Sequence, residues 1–418
     1  MMSSTVHIVG GGLAGLSAAT DLAARGVRTV VHEATAQAGG RCRSYDDAQS
    51  GMRIDNGTHI LLSGNVAALG FLDRIGAAGA VAGAPTARFP FRDLADGGRF
   101  ALDLGTGVLP LWMFTDARRP PHTRARDYLG LVRLMWPGRD RAVGSLIACK
   151  GPAWDRVLRP LLLAALNTEP GESSSEIVRT VLLRSIAKGG DACRPYLAPK
   201  GLGAAFVEPA LAFLERHGGV LHFGHQLRRC VVTGETVTGL DFGDGVLQLS
   251  PQDAVVLAVP PWAARAIIPE LQAPDEFRAI VNAHFRITPP AGMEAMLGVV
   301  NGTAEWIFCF EDRICATISG ADRFMHGTKE ELAALIWQDV RRVAKVPAEL
   351  PPWQVVRERR ATFAATPAQN AKRPGAATPW RNLGLAGDWT ATGLPATIES
   401  AVRSGLRAAA VVMQSSVM

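Results

Sequence analysis

A strand, a glycine-rich turn and a helix at the start of the chain constrain its fold more than any other stretch. Residues 6–9 form an apolar, largely β-branched run that predicts a buried strand. Gly10, Gly12 and Gly15 follow at the spacing GxGxxG, where an apolar pattern of helical period begins. Residues 28–32 form a second apolar run. The stretch therefore predicts a βαβ unit, the start of an α/β fold.

The turn of this unit has the features of a dinucleotide site. The three glycines would give a tight turn, close backbone approach to a pyrophosphate and close helix–strand packing. The helix that begins with Leu13 and Ala14 would present free N–H groups to the phosphates. Glu33, just after the second run, can accept hydrogen bonds from a ribose diol. A glycine-rich turn of any α/β protein is the alternative, but the strand, helix and acid favour the dinucleotide.

The segment Gly39-Gly40-Arg41 identifies the cofactor more closely. Its two glycines let the backbone pass near a ligand, and the planar guanidinium of Arg41 suits a pyrophosphate. With this segment the chain resembles the FAD-dependent amine oxidase and phytoene desaturase superfamily. The resemblance implies FAD rather than NAD as the cofactor.

The resemblance also assigns residues late in the chain. A short apolar run reaches Gly387 and Asp388, and an amphipathic helix opens near Pro395 and Ala396. The resemblance implies that Asp388 binds the ribityl chain of FAD and that the helix start points at the flavin pyrimidine ring. There the positive end of the helix dipole would stabilise reduced flavin. It further implies that backbone groups at Val231 meet the adenine edge. A plain docking helix and a plain sheet strand are the alternatives.

Composition narrows the class of protein. The chain has 418 residues, enough for two or three domains, and 48% of them are hydrophobic. No apolar run reaches 18 residues, so we expect no membrane-spanning helix, and we expect no signal peptide before the first strand. The net charge of +6 is spread along most of the chain, which argues against nucleic acid as a partner.

Cysteine usage predicts the compartment and the mode of cofactor attachment. Six cysteines are scattered without a CxxC pair. This pattern favours reduced thiols in the cytoplasm, with neither disulfides nor a metal site. No cysteine follows Cys315, so a thioether to the flavin from the last segment is excluded. We therefore expect FAD to be bound non-covalently.

The fold class expected is α/β, with a discontinuous Rossmann-type FAD-binding domain. We predict that residues 1–64, 195–275 and 380–418 form this domain. Residues 65–194 and 276–379 would then build a mixed-sheet substrate domain and a helical lid. A second GxGxxG after a strand is missing from the sequence, so a pyridine-nucleotide domain is not expected.

Pieces from the middle of the chain resemble one branch of the superfamily, the squalene-associated FAD-dependent desaturases that act as hydroxysqualene dehydroxylases. The pieces are IDNGTHILLSGN, PLLLAALNTEP, YLAPKGLG and GDWTATGLPATIESAVRSG. The resemblance covers most of the chain and weakens around residues 80–145. It implies replacement of the allylic hydroxyl of hydroxysqualene by hydrogen, giving squalene for hopanoid or squalene biosynthesis. An electron donor, which the sequence does not identify, would reduce the FAD.

This reaction sets requirements that point to candidate residues. Ionisation of the C–O bond requires a proton for the leaving water, and the cation requires a water-poor apolar cavity. His59, which the resemblance places beside the flavin, is the first proton-handling candidate, although a structural histidine is an open alternative. Asn167 is the first candidate for an orienting group. Glu169, beside a proline at a turn, is a weaker one.

Residues 105–141 alternate arginines with apolar and aromatic residues. This composition fits a segment that lies in an anionic membrane interface. The protein would then be cytoplasmic and peripheral on the inner face of the membrane. A solvated basic face on an ordinary cap helix is the alternative.

Three other functions stay open at this point. A carotenoid or phytoene desaturase would share cofactor and substrate type. An amine oxidase usually has an aromatic cage around the amine, which the three tyrosines of the chain make harder to build. The GDP-dissociation inhibitors of small GTPases share the fold and bind prenyl tails without redox chemistry. These inhibitors do not need the complete set of FAD-binding residues, whereas Glu33, Arg41 and Asp388 are all present here.

Overall fold

The structure, a computed structural model, describes residues 4–107, 109 and 111–415, and helices alternate with strands along much of the chain. The strands in chain order are β1 Thr5–Val9, β2 Arg28–His32, β3 Ser44–Asp47, β4 Met52–Asp55, β5 Leu61–Leu62, β6 Ala82–Gly83, β7 Arg88–Asp93, β8 Arg99–Asp103, β9 Pro195–Leu197, β10 Val220–His222, β11 Arg229–Thr233, β12 Thr236–Asp241, β13 Val246–Gln248, β14 Ala254–Leu257, β15 Phe277–Phe285, β16 Met296–Val300, β17 Trp306–Cys309, β18 Ile314–Ile318, β19 Trp353–Phe363 and β20 Leu383–Leu385. The helices are α1 Leu13–Ala24, α2 Val66–Arg74, α3 Leu129–Met135, α4 Arg159–Leu166, α5 Ser175–Arg184, α6 Glu208–Arg216, α7 Pro261–Ile267, α8 Lys329–Ala344, α9 Pro367–Asn370 and α10 Ile398–Ser415.

A parallel five-stranded sheet in the order β10-β2-β1-β14-β20 contains the predicted βαβ unit. The sheet therefore joins strands from the two ends and the middle of the chain, and the α/β fold class is confirmed. Helices α1 and α10 pack against each other beside it, and the Ser17 hydroxyl donates to the Val402 carbonyl at 2.9 Å. A Cβ atom at Gly405 would lie 2.2 Å from the Ala14 carbonyl oxygen. Only glycine permits this approach of the two helices.

A mixed seven-stranded sheet in the order β19-β15-β18-β17-β16-β7-β8 forms the second layer. Strands β16 and β7 run parallel, and the other neighbouring strands are antiparallel. Helix α8 buries Ile336, Trp337 and Val340 against this sheet. The sequence predicts a capping box at the start of α8, with Thr328 as the cap and Glu331 three residues on. The structure confirms it, because the two residues exchange side-chain to backbone hydrogen bonds at 3.1 and 3.0 Å.

Two helical segments, α4 with the turn before it and α5, lie in the part of the chain predicted to form the lid. A π-helical turn, Trp154–Leu158, leads into α4, and Ser174 caps α5 by accepting from the Ile177 N–H at 3.2 Å. The amphipathic pattern of the sequence predicts one helix from about Ser175 to Lys188, which is wrong, because α5 ends at Arg184. The Ser185 hydroxyl donates to the Val181 carbonyl at 2.6 Å. Such back-bonding competes with the helical backbone.

The domain division given above stays a prediction. The short sheet β5–β9–β6 crosses two of the predicted domain boundaries, because β5 and β9 belong to the predicted FAD-binding domain and β6 to the predicted substrate and lid domain. In the described part of the chain, no helix combines the length and the hydrophobicity needed to cross a bilayer.

Three histidines, His7, His32 and His225, form a hydrogen-bonded row at the carboxyl end of β2. The rings of His7 and His32 are joined by a hydrogen bond of 3.1 Å, and those of His32 and His225 by one of 2.8 Å. Burial and, to a smaller extent, the neighbouring histidines together lower the pKa of His32 to about 3. Burial also lowers the pKa of His7, partly opposed by Asp253. These imidazoles are therefore neutral at pH 7.

The histidine row predicts acid sensitivity of the fold. An unfolded histidine titrates near 6.5, so below that pH the unfolded chain binds more protons than the native one. The free energy of unfolding should fall between pH 7.5 and pH 5, with about 1–2 kcal/mol of the loss coming from His32. Urea unfolding at both pH values measures this. His32→Gln should flatten the dependence and the exposed His326→Gln should not; equal slopes in wild type and His32→Gln would refute the assignment.

Candidate functional site

The glycine-rich turn between β1 and α1 forms an open cradle. Gly10 has φ +108°, and a Cβ atom there would lie 2.5 Å from the Ala258 carbonyl oxygen. A Cβ atom at Gly15 would lie 1.9 Å from the Gly10 carbonyl oxygen. Both positions are thus closed by the protein's own backbone. Gly12 differs, because nothing lies within 4 Å of a Cβ atom placed there. Leu13 then opens the helix, so phosphate oxygens can reach the free N–H groups of this turn.

Glu33 lies at the carboxyl end of β2, as predicted. One of its carboxylate oxygens accepts from the Gly11 N–H at 2.8 Å. The other accepts from the N–H and the hydroxyl of Thr35 at 2.9 and 2.8 Å. These bonds fix the carboxylate beside the glycine-rich turn, while its half-buried position leaves lone pairs for a ribose hydroxyl.

The second glycine segment is brought against the first. The Gly39 N–H donates to the Gly11 carbonyl at 2.8 Å, and Gly12 and Gly39 form a parallel bridge. From this segment Arg41 reaches Asp388, with an Nη2–Oδ2 distance of 2.7 Å. The Arg41 side chain is 41% exposed and that of Asp388 only 7%. The arginine therefore keeps an open side toward an incoming anion, while the aspartate holds it in place.

Asp388 is presented by a strained turn after β20. Gly387 has φ +148°, and its N–H donates to the Ser404 hydroxyl at 2.8 Å. A Cβ atom there would lie 2.3 Å from the Trp389 indole nitrogen, which donates to the Val259 carbonyl at 3.0 Å. The turn is therefore restricted to glycine and is tied to both β14 and α10.

The start of α10 lies next to this turn. Pro395 and Ala396 precede the helix, and the Thr397 hydroxyl accepts from the Ser400 N–H at 3.2 Å, as an N-cap residue does. The Ser400 hydroxyl in turn donates to the Asp388 carbonyl at 3.2 Å. The glycine-rich turn, Arg41, Asp388 and the α10 N-terminus thus form one site, and the residues present fit the dinucleotide that they are expected to hold.

His59 belongs to the same site through its electrostatics. Burial, followed by the charge of Arg41, lowers the pKa of His59 to about 4. The imidazole is therefore neutral at pH 7 and retains one N–H group to donate. An anionic ligand beside it would raise this pKa again. Proton transfer by His59 stays a prediction.

Asn167 lies in a different environment from the one expected of an orienting group. It has φ +50° at the C-terminal end of α4, and it is buried. Its amide nitrogen donates to the Arg278 carbonyl at 3.2 Å and to the Thr362 hydroxyl at 3.0 Å. Its oxygen accepts from the Gly320 N–H at 2.7 Å. These bonds join the lid to the mixed sheet, so Asn167 has a structural role, and a role in orienting substrate stays a prediction.

Two weaker assignments are also located. Val231 lies on β11 at a register shift, and its carbonyl meets the Thr238 hydroxyl at 3.5 Å. Its contact with adenine stays a prediction. The Glu169 side chain is 42% exposed and binds Arg159 through two hydrogen bonds of 2.9 and 3.0 Å, which fits a surface ion pair.

Two polar residues of the site were missed from the sequence. Asn282, buried on β15, binds the turn that leads to His59 through the Asn56 carbonyl and the Thr58 N–H, both at 3.4 Å. A polar residue inside an apolar strand run was the available signal. Arg373 lies in the stretch 364–379, for which the sequence predicts only a loop rich in proline and alanine, and it donates to backbone carbonyls of the turn after β20. Nothing in its local sequence indicated this.

Solved structures share the fold at low sequence identity. Cyclohexylamine oxidase from Brevibacterium oxydans matches with a TM-score of 0.73 at 16% identity, over 99% of each chain. An oxidoreductase from Methanosarcina mazei matches with a TM-score of 0.70 at 14% identity, over 96% of this chain and 99% of that one. At these identities the likeness concerns the fold alone.

Sequence relatives cover nearly the whole chain. A protein from Rhodopseudomonas palustris named hydroxysqualene dehydroxylase is 53% identical over 413 residues, 99% of each chain. Proteins of the same name are 50% identical in Sinorhizobium fredii, over 98% of each chain, and 44% identical in Zymomonas mobilis, over 99% of this chain and 100% of that one. The model of the flavin containing amine oxidoreductases matches residues 13–413. The chain belongs to this flavin-dependent family, in the branch of the hydroxysqualene dehydroxylases.

Proposed function

We propose that this protein is an FAD-dependent oxidoreductase that replaces the allylic hydroxyl of hydroxysqualene with hydrogen, giving squalene. The observation that carries the proposal is the 53% identity, over 99% of both chains, to a protein named for that reaction. The site supports it, because the glycine-rich turn, Glu33, Arg41 and Asp388 meet in one place. FAD is bound non-covalently in this proposal, since no cysteine follows Cys315.

The chain's own residues meet the requirements of the reaction in separate ways. Gly12 and Glu33 bind the dinucleotide, and Arg41 faces its phosphates. FAD, when bound, supplies the hydride. The substrate must lose its hydroxyl as water, so a proton has to be held at the leaving oxygen, and we assign this role to His59. Its neutral imidazole needs protonation first, which the negative charge of a bound cofactor favours.

Exclusion of water falls to the lid. Trp154, Leu158, Leu162 and Leu166 recur at every fourth residue along the π-helical turn and α4, and all four are buried in one apolar cluster. An apolar enclosure of this kind suits a polyisoprenoid and protects an allylic cation from recapture by water. We place the domain boundaries as the sequence predicts, with this lid outside the FAD-binding domain.

We also propose that the lid touches an anionic membrane surface. Helix α3 and its C-cap residue Trp136 are apolar on two faces: Leu131 and Leu134 are buried, whereas Leu129, Val132 and Trp136 are exposed, Trp136 by 78%. The exposed three recur at helical spacing, so they share one face. A helix that has already buried one apolar face has no intramolecular reason to carry a second.

The neighbouring segment extends this surface. The buried rings of Trp112 and Tyr128 pack at 5.1 Å and so join the turn Leu111–Phe114 to the start of α3. Leu109, Leu111 and Phe114 are exposed there. Seven arginines and three aspartates lie in residues 105–141, so the segment carries much of the net charge of +6. Exposed apolar side chains flanked by arginines suit anionic headgroups. The protein would thus be cytoplasmic and peripheral on the inner face of the membrane.

Loss of the Glu33 carboxylate should weaken FAD binding. The wild-type protein should be yellow and should release FAD on acid or heat denaturation. Glu33→Ala removes hydrogen bonds between a charged group and the ribose, worth about 1.5–3 kcal/mol, so Kd should rise by roughly 10–150-fold in a fluorescence titration. Glu215→Ala, an exposed acid on α6, should leave Kd unchanged. Equal affinity in Glu33→Ala would remove Glu33 from the site, and a colourless wild type would favour a prenyl-binding protein without redox activity.

The direction of the reaction can be read from the product. Without oxygen, hydroxysqualene should reoxidise the reduced enzyme with formation of an equal amount of squalene. In D2O one deuterium should appear at the former carbinol carbon, because the flavin hydride exchanges with solvent. Mass spectrometry and NMR of the lipid measure both. A label elsewhere excludes hydride delivery to that carbon, and desaturation of phytoene would instead indicate the carotenoid desaturase activity.

His59→Ala should slow this step by about 10²–10⁴-fold if the residue acts as a general acid, with FAD still bound. The exposed His326→Ala is the control and should react at the wild-type rate. A small effect of His59→Ala on the rate would mean that the ring only shapes the pocket.

Binding to vesicles tests the membrane surface. Flotation with anionic vesicles should recover the protein, and recovery should fall with salt, because charge attraction is screened over about 8–10 Å at physiological ionic strength. Trp136→Ser and Leu129→Ser should reduce recovery. Val66→Ser, at another exposed apolar residue, is the matched control. Equal recovery with neutral and anionic vesicles would contradict the role of the arginines.

A further inference from the structure

Arg373 is a buried cation whose hydrogen-bond acceptors are all neutral. It is 7% exposed. Its guanidinium donates to the carbonyls of Asp388, Trp389 and Thr390 at 3.3, 3.3 and 2.5 Å. It also donates to the Thr392 hydroxyl and the Asn370 side-chain oxygen, at 3.1 and 3.2 Å. Within residues 4–107, 109 and 111–415, no carboxylate oxygen lies within 4.0 Å of it.

The charge on Arg373 is retained despite this environment. Burial lowers its pKa to about 10, and the more distant charge of Asp388 opposes the shift. The guanidinium is thus protonated at pH 7. Removing a charge from water without an ionic partner is costly, and buried charges are as a rule paired. The Phe363 ring, 4.8 Å from the guanidinium carbon, and the more distant charges of Asp388 and Glu176 partly offset this cost, but the cation has no carboxylate in direct contact.

The position of Arg373 indicates where that negative charge belongs. The three carbonyls that it binds form the turn that carries Asp388, which itself meets Arg41 in the dinucleotide site. The Ser400 hydroxyl, in the first turn of α10, donates to one of the same carbonyls and contacts the Thr392 hydroxyl at 2.6 Å. The cation therefore contacts the backbone of residues 388–390, called here the cofactor turn, and lies beside the positive end of the α10 dipole.

We infer that Arg373 is a positioning residue for the cofactor turn and that its charge raises the reduction potential of bound FAD. The inference depends on FAD occupying the proposed site. Reduction of flavin by two electrons and one proton leaves a negative charge on its pyrimidine side, which oxidised flavin lacks. A fixed cation in a poorly solvated position binds the reduced form more tightly than the oxidised form. A higher potential is the thermodynamic expression of that difference.

Arg407, on α10, provides a matched control because it binds the segment that follows the same turn. It is exposed, and it donates to the Ala391 carbonyl at 2.9 Å. It therefore makes the same type of bond to the same segment, but its charge is screened by water. If backbone clamping were the whole effect of such an arginine, both residues would act alike on the cofactor.

The experiment measures the midpoint potential and the Kd of FAD in the intact protein by dye-linked anaerobic reduction and by titration. In Arg373→Gln the ratio of the Kd of oxidised FAD to the Kd of reduced FAD should fall about tenfold or more. A tenfold fall corresponds to a midpoint potential lower by about 30 mV for a two-electron couple. Arg373→Lys keeps the charge and loses the fork of donors. It should weaken FAD binding in both redox states and keep most of the potential. Arg407→Gln should change neither quantity.

The outcomes separate the inference from the function. Equal weakening of both redox states in Arg373→Gln, with an unchanged potential, would show a purely structural clamp and overturn the inference. If Arg373→Gln does not fold, Arg373→Lys decides. A midpoint potential about 30 mV or more below that of the wild type in Arg373→Lys would also overturn the inference, because this variant keeps the charge. Failure of the wild type to bind FAD at all would instead overturn the proposed function.

Discussion

Backbone-to-backbone packing at three glycines is the constraint on which the rest of the molecule depends. Gly10 and Gly15 close the turn against main-chain oxygens, and Gly405 lets α10 approach α1 so closely that a methyl group would collide with the Ala14 carbonyl. Because these contacts use no side chains, the free N–H groups of the α1 N-terminus stay open toward a ligand. The helix that carries the other half of the site is positioned by the same contacts.

The charges around this site are arranged asymmetrically. Arg41 keeps an open side, Arg373 is enclosed, and the start of α10 adds the positive end of its dipole. Against them stands the carboxylate of Asp388, already bound to Arg41. The nearby His59 is neutral as a consequence, since burial and Arg41 both oppose its protonation. The pocket is thus electrostatically prepared for an anion, and the anion would in turn alter the protonation of the histidine.

The parts of this arrangement that could be predicted depend on short-range pattern. The βαβ unit, Glu33 and the capping box of α8 follow from residues a few positions apart, where turn and helix rules apply. The ion pair between Arg41 and Asp388 was not predicted, because the sequence assigned Arg41 to the pyrophosphate and the resemblance assigned Asp388 to the ribityl chain. Arg373 and Asn282 could not be assigned, because their partners lie on distant segments. The end of α5 was missed since Ser185 bonds back to its own helix, a choice that the apolar period does not show.

Construction of one sheet from both ends of the chain has a consequence for biosynthesis. Strand β1 pairs with β14, and β14 pairs with β20, while α1 requires α10 as its packing partner. During translation the first helix therefore emerges long before the segment that covers it. The side of α1 that packs against α10 stays uncovered until β20 and α10 have left the ribosome. The nascent protein thus exposes apolar surface over a long stretch of translation, and the site can be completed only after residues 383–415 have emerged.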